Sequence, residues 1–257
     1  MARFARAVIL LDPPCSSWAF SLSVQLLMKR ISTAAFTLIE MLVVIAIIAV
    51  LAAFAVPALT SALARGQMTG TMNNARQFFL AGQQLALDGT TNSDPSLGWA
   101  GDITSPAAVT NLVGYCNKIV ENNYITQGDL QKILSAPGVN CIVTGGTVSS
   151  GGTYSPITGI SNPALKVYRV KDRNPSNTIF AATNNYTYNI TLPVSGTPYG
   201  DKGFVIQRKG GDASIFKKAQ ATGSTIQTLV GRLPDDVDGT PGTESASGAG
   251  QNVLTNP

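Results

Sequence analysis

Residues 36–59 read FTLIEMLVVIAIIAVLAAFAVPAL, an apolar run in which Glu40 is the one charged residue. A helix of this length rises about 36 Å at 1.5 Å per residue, enough to cross a hydrocarbon core of roughly 30 Å. Only a helix can satisfy all the backbone hydrogen bonds of such a segment inside a bilayer. The run therefore predicts a transmembrane helix over residues 36–59.

Glu40 is the residue of this run that asks for a functional explanation. A charged side chain within a membrane span costs a few kcal/mol, roughly 2.5–3.5 on insertion scales. Two interpretations are open: the carboxylate caps the helix start or reaches the interface, or it pairs with a cation at the same depth. Pro57 has no amide hydrogen, so it is expected to kink or loosen the far end of the helix.

The charges that flank the run indicate its orientation. Lys29 and Arg30 precede it closely, whereas Arg65 and Arg76 follow at a greater distance. Because basic residues close to a span favour the cytoplasmic side, the N-terminus is predicted to be cytoplasmic.

The first third of the chain resembles the N-terminus of type IV prepilins and of the pseudopilins of type II secretion. The likeness covers about residues 28–85: a short basic leader, a small residue, the motif Phe-Thr-Leu-Ile-Glu at 36–40, and an apolar helix with a proline near its end. In that family a membrane peptidase cuts before the phenylalanine, and the new amine is methylated. The resemblance implies processing between Ala35 and Phe36, although the family usually has glycine where this chain has Ala35.

This resemblance implies a structural subunit of a type IV pilus or pseudopilus. Its partners would be copies of itself or related pilins, the prepilin peptidase and methylase, and an assembly platform in the bacterial inner membrane. Glu40 would then pair with the Phe36 amine of a neighbouring subunit, since buried ion pairs contribute specificity more than net stability. The protein would be single-pass in that membrane before it enters a periplasmic or extracellular filament.

Two other functions stay open on the sequence. The first is a minor pilin whose basic ectodomain binds DNA, a surface or secreted cargo. The second is a membrane-anchored domain that never polymerises. An enzyme is not expected, because the chain has no histidine and no nucleophile-elbow, phosphate-loop, zinc or dinucleotide motif.

The predicted fold class is α+β and pilin-like, with a long N-terminal helix packed on a small antiparallel sheet. Met28 starts a complete leader of the family's kind, so residues 1–27 are interpreted as lying before the true start. The predicted segments are a removed leader (1–35), a transmembrane and assembly helix (36–59), its continuation (60–90), a loop region with short helices (91–163), an antiparallel sheet (164–233) and a flexible tail (234–257).

Local patterns place the smaller elements. Helices are predicted from Ser105 to about Glu121, and after Thr126, whose hydroxyl is suited to cap a helix start. Alternation and β-branched content predict the strands Leu165–Lys171, Thr178–Ala182, Tyr186–Leu192, Phe204–Arg208 and Thr225–Leu233.

Cys116 and Cys141 are the two cysteines that remain once the leader is removed. An ectodomain beyond the inner membrane meets an oxidising compartment, where a disulfide between them would contribute about 3 kcal/mol. Two buried free thiols are the equally weighted alternative.

Clustered acidic residues raise the question of calcium. Asp235, Asp236 and Asp238 could supply the oxygen ligands that this ion prefers, but their spacing does not match an EF-hand loop. A solvated acidic loop is the favoured interpretation, so no cofactor is expected and calcium is the one candidate.

Basic residues accumulate late in the chain and could form an anion-binding face. Removal of residues 1–35 leaves basic and acidic residues nearly balanced, so global charge gives no support to nucleic-acid binding. Solvated strand faces are the commoner explanation for such charges. The candidate residues are Lys166, Arg169, Lys171, Arg173, Arg208 and Lys209.

Overall fold

The structure is a computed structural model that describes residues 36–104, 109–148, 152–234, 244 and 253–254. The chain divides into two compact units, Met1–Val50 and Leu51–Pro257. The leader with Met28 and Ala35, and the predicted helix start at Ser105, lie outside the described residues.

One long helix, α1, spans Leu38–Asn92. The helix continues through Pro57, Gly66 and Gly70. The Thr60 hydroxyl donates to the Pro57 carbonyl oxygen at 2.9 Å. The helix ends at Asn92, two residues beyond the predicted continuation (60–90), and the hydroxyls of Thr90 and Thr91 both donate to the Leu87 carbonyl in its last turns.

The part of α1 that packs into the second unit buries one face. Phe78, Gly82 and Leu85 lie on this face, whereas Leu59 and Leu63 are 69% and 61% exposed. At the N-terminal end of the face the buried positions are instead Ala64, Met68 and Thr71. The buried residues are Ala64, Met68, Thr71, Ala75, Phe78, Phe79, Ala81, Gly82, Leu85, Ala86 and Gly89.

The other elements are short. The helices are α2 (Leu112–Glu121), α3 (Gln127–Ile133) and α4 (Ile226–Leu229), with one 3-10 turn at Lys218–Gln220. The strands are β1 (Ile142–Thr144), β2 (Thr147–Val148), β3 (Tyr154–Ser155), β4 (Gly159–Ser161), β5 (Leu165–Val167), β6 (Ile179–Thr183), β7 (Phe204–Arg208) and β8 (Ala213–Phe216).

The main sheet is an antiparallel meander in the order β5-β6-β7-β8, while β1 pairs with β4 and β2 with β3. Every residue of β6 is buried, so this central strand is covered on both faces. On one face Phe180 meets the rings of Phe78 and Phe79 of α1, with centroids 5.9 and 5.4 Å away. The α+β fold with a long helix on a small antiparallel sheet is therefore confirmed.

Side-chain caps fix the starts of two helices. Thr126 accepts a hydrogen bond from the Asp129 amide at 3.2 Å, as predicted for α3. The α2 helix begins later than expected, because Asn111 accepts from the Gly114 amide at 2.7 Å and serves as its cap. Val109 therefore precedes the helix.

Two predicted strands are wrong. Residues 186–192 form an irregular loop, in which Asn189 has φ 56°, and Tyr186 is buried in a stack on Phe204 with ring centroids 3.9 Å apart. The alternating apolar residues of this segment are core contacts of a loop. Within residues 225–233 the chain forms α4, where the Leu229 amide donates to the Thr225 carbonyl at 3.0 Å. The short strand β8 was not predicted.

The end of α1 depends on a close approach at Gly89. A Cβ atom there would lie 2.7 Å from the Leu97 carbonyl carbon, whereas a Cβ at Gly70 would meet nothing within 4 Å. Gly89→Ala is expected to destabilise the fold by about 1–3 kcal/mol through overpacking against backbone. The measurement is thermal unfolding of the full chain in detergent micelles, followed by near-ultraviolet circular dichroism.

Gly70→Ala is the matched control, because it makes the same change in the same helix. It is expected to gain up to about 1 kcal/mol, since alanine is the better helix former. Equal effects of the two substitutions would contradict the importance of the Gly89–Leu97 contact.

Candidate functional site

Thr37 and Glu40 form a reciprocal cap at the start of α1. The Glu40 amide donates to Thr37 Oγ1 at 3.2 Å, while the Thr37 amide and hydroxyl donate to Glu40 Oε2 at 2.9 and 2.8 Å. This is the capping-box arrangement that Thr-x-x-Glu favours. Among the residues described, Oε1 of Glu40 accepts no hydrogen bond, so half of the carboxylate is open to a further donor.

The side chains that follow this cap are apolar and exposed on all sides of the helix. Within the described ranges, α1 is the one helix long and apolar enough to cross a membrane, and its most apolar window is not buried. A helix that is apolar all round needs lipid or protein as its surroundings. Residues 36–59 are called the apolar segment below.

Pro57 lies within this helix near the end of the apolar segment. Its missing amide hydrogen leaves the carbonyl of Ala53 without the usual partner four residues on. The Thr60 hydroxyl bonds to the Pro57 carbonyl itself. The role predicted for Pro57 in assembly stays a prediction.

The structure places several of the basic candidates in internal contacts. Lys166 is 6% exposed, and its Nζ lies 2.5 Å from Oε1 of Glu244, so it is not available to an external anion, contrary to the prediction. Arg208 pairs with Asp212 and donates from Nε to the Val230 carbonyl at 2.8 Å.

The other candidates differ in their surroundings. Lys209 donates to the Asn174 carbonyl at 2.9 Å, and its Nζ lies 5.8 Å from the centre of the Trp99 ring. Arg169 and Lys171 are half-buried, and Arg173 is exposed. Anion binding by these last three residues stays a prediction.

Glu244 is the centre of a buried polar cluster that the sequence did not reveal. Its side chain has 0% exposure, and besides the Lys166 contact its Oε2 accepts from the Tyr168 hydroxyl and the Tyr188 amide, both at 2.9 Å. Burial, and next the Glu244 charge, raise the pKa of Tyr168 well above its usual value. We call these four residues the Glu244 cluster.

Two further residues of the C-terminal segment also pack into the core. Val253 and Leu254 are buried, and the Leu254 amide donates to the Val167 carbonyl at 2.8 Å. At Glu244 and at these two residues, the expectation of a flexible tail over 234–257 is therefore wrong. The sequence contains one indication of these contacts: after Asp238, Glu244 is the single charged residue and Val253-Leu254 is the single apolar pair.

Cys116 and Cys141 are both buried free thiols. Burial raises the pKa of Cys141 to about 11 and raises that of Cys116 further, with the neighbouring Cys141 as a second cause. Thiols held in the protonated form are poor nucleophiles. Of the two alternatives left open by the sequence, the structure contains the free pair.

The acidic residues Asp235, Asp236 and Asp238 lie outside the described residues. In the part of the chain that the structure does describe, no group of three histidine, cysteine or acidic residues could hold a metal. Calcium binding at the three aspartates stays a prediction.

Comparison with known proteins identifies the family. The family model of the prokaryotic N-terminal methylation motif matches residues 31–56. Fimbrial protein EcpC of Eikenella corrodens is 36% identical over 119 residues, which cover 46% of this chain and 73% of EcpC. Type IV major fimbrial protein FimA of Dichelobacter nodosus is 41% identical over 64 residues, 25% of this chain and 41% of FimA. No solved structure is significantly similar.

The N-terminal match and the overall fold agree with each other. The methylation motif coincides with the Thr37–Glu40 cap and most of the apolar segment, and the described residues after it include a helix-on-sheet domain. Because the similarity to EcpC extends over nearly three quarters of that protein, this chain belongs to the type IV pilin family.

Proposed function

We propose that this pilin is a structural subunit of a type IV pilus or pseudopilus, cut between Ala35 and Phe36 and assembled through its apolar segment. The observation that carries the proposal is an exposed apolar helix with Glu40 near its start, where both hydrogen bonds to the carboxylate go to Oε2. The similarity to two fimbrial proteins, EcpC and FimA, supports the role as a structural subunit.

Processing would supply the cation that Glu40 lacks. Cutting before Phe36 creates an amine one helical turn before Glu40, at about the same depth in the bilayer. In a lone subunit the Thr37 cap supplies two donors to Oε2 of the carboxylate. In a filament, Oε1 would accept the Phe36 amine of an axially offset neighbour, which makes one register the favourable one.

The apolar segment supplies the contact surface. Between helices in lipid there is no hydrophobic driving force, because lipid tails are as apolar as leucine. Association then depends on packing and on polar pairs, and a single carboxylate in an apolar run gives such a pair its specificity. Copies of this chain or related pilins are the proposed partners, with a peptidase, a methylase and an inner-membrane platform.

The alternative of a minor pilin that binds DNA or cargo through basic strands has less support. It needs a shared cationic face, and Lys166, Arg208 and Lys209 are engaged inside the ectodomain.

The test of processing is the identity of the mature N-terminus. We expect intact-mass and N-terminal sequencing of the protein from its native membrane to give N-methylated phenylalanine, residue 36. Ala35→Leu is expected to leave the precursor uncut, because a small residue precedes the cut in this family, whereas Ala34→Leu is the matched control and is expected to be cut. A native protein that keeps residues up to Ala35 would contradict the proposal.

A further inference from the structure

A groove of about 620 Å³ lies in the second unit, where α1 leaves the apolar segment. Thr60 and Ser61 line it on the helix side. Apolar Ile215 and Phe216 of β8 form part of its wall, and Ile215 is 37% exposed. Four basic side chains also line this groove: Arg65, Lys202, Lys217 and Lys218.

The charge of the groove is largely uncompensated. Lys218 Nζ forms an ion pair with Asp201 at 2.9 Å. This contact with Lys218 is the main reason that the pKa of Asp201 is lowered, and the charge of Lys202 lowers it a little further. Arg65, Lys202 and Lys217 are exposed, and no carboxylate of the described residues lies within 4.0 Å of their charged nitrogens. Four cations thus face one carboxylate.

The position of the groove along α1 matches the depth of lipid headgroups. The apolar segment ends at Leu59, and Arg65 lies about 9 Å further along the helix axis. The polar zone on each side of the hydrocarbon core is roughly 5–8 Å thick. A subunit anchored by its apolar segment therefore holds Arg65, and with it the helix side of this groove, just above the lipid phosphates.

We propose that this groove binds the headgroup of an anionic phospholipid in the leaflet from which α1 emerges. The Arg65 guanidinium and the lysine ammonium groups suit the phosphate, since arginine binds it with a planar fork and lysine as a point charge. Ile215, which is 37% exposed, offers an apolar surface to the glycerol. The inference rests on the membrane anchoring of the proposed function.

The experiment uses the full chain in non-ionic detergent micelles with phosphatidylglycerol or phosphatidylcholine of the same acyl chains. Native mass spectrometry gives the ratio in which the two lipids are retained. Arg65→Gln/Lys217→Gln is compared with Arg76→Gln/Lys132→Gln, which removes the same residue types from exposed positions outside the groove. Each basic residue near a lipid surface contributes roughly a fivefold preference, so the preference for phosphatidylglycerol should fall about 25-fold in the groove variant, which lacks two of them.

Each outcome decides between occupants. The proposal is supported if the groove variant loses its preference for phosphatidylglycerol over phosphatidylcholine while the control variant keeps it. Equal lipid ratios in the two variants overturn it. Displacement of phosphatidylglycerol by excess inorganic phosphate would show a free-anion site and overturn it. Loss of self-association in the groove variant at an unchanged lipid ratio would show a contact between copies and also overturn it.

Flotation separates this inference from the proposed function. A chain that fails to float with phosphatidylcholine vesicles is not membrane-anchored, which overturns both. A chain that floats with these vesicles but shows no preference for the anionic lipid overturns the groove alone.

Discussion

Replacing Glu40 by alanine is expected to abolish filaments while the subunit is still inserted in the membrane. The change removes the acceptor for the Phe36 amine of a neighbouring subunit, and it leaves that amine unpaired in an apolar surrounding. Insertion is retained because the apolar segment becomes more apolar. Electron microscopy and sheared-filament yield measure assembly, and membrane fractionation measures insertion.

Further variants separate the charge of Glu40 from its capping role. Glu40→Gln keeps a hydrogen-bond acceptor for Thr37 but no charge, and it is expected to fail as alanine does. Thr37→Val removes the capping hydroxyl, costs about 1 kcal/mol at the helix start, and is expected to assemble. Glu121→Ala removes an exposed ectodomain carboxylate and is the control. Filaments of normal yield from Glu40→Ala would contradict the registry role.

The sequence was most informative where structure is determined locally. Local patterns predicted the helix over the apolar segment, its start at the motif 36–40, and the helix start at Thr126. The structure has helices that begin at these places. The strand Phe204–Arg208 was also predicted with its observed bounds. These patterns depend on helical and strand periodicities rather than on distant contacts.

Contacts between distant residues account for most of what was missed. Lys166 and Glu244 are 78 residues apart, so no local pattern shows that the lysine is buried beside a carboxylate. Tyr186 and Tyr188 alternate as a strand would, yet one stacks on Phe204 and the other donates its hydroxyl to the Gly231 carbonyl at 2.9 Å. Aromatic residues with polar tips serve a buried loop as well as a strand.

The Glu244 cluster attaches part of the C-terminal segment to the rest of the domain. Within the described residues both cysteines are free, and the C-terminal segment is attached through Glu244 and the Val253–Leu254 pair. Glu244 joins that segment to β5 through Lys166 and to the loop after β6 through Tyr188. The stability of the ectodomain should therefore be sensitive to this one carboxylate.

Glu244→Ala is expected to destabilise the ectodomain by about 3–5 kcal/mol, the usual cost of removing one partner of a buried ion pair. Lys166 would keep a buried charge without its carboxylate, and the Tyr168 hydroxyl and Tyr188 amide would lose their acceptor. At roughly 2–4 °C per kcal/mol for a domain of this size, the Tm should fall by about 6–20 °C. Thermal unfolding of the full chain in micelles measures it.

Two further variants test whether the loss comes from the unpaired charge. Lys166→Met/Glu244→Gln removes both charges and keeps an acceptor for Tyr168 and Tyr188, so it should recover most of the stability, because neutral replacement of a buried pair is often harmless. Lys132→Met removes a lysine from an exposed pair with Asp129 and should change stability by less than about 1 kcal/mol. If Glu244→Ala lost no more than this control, Glu244 would not hold the C-terminal segment, and the hydrophobic contacts of Val253 and Leu254 would have to do so.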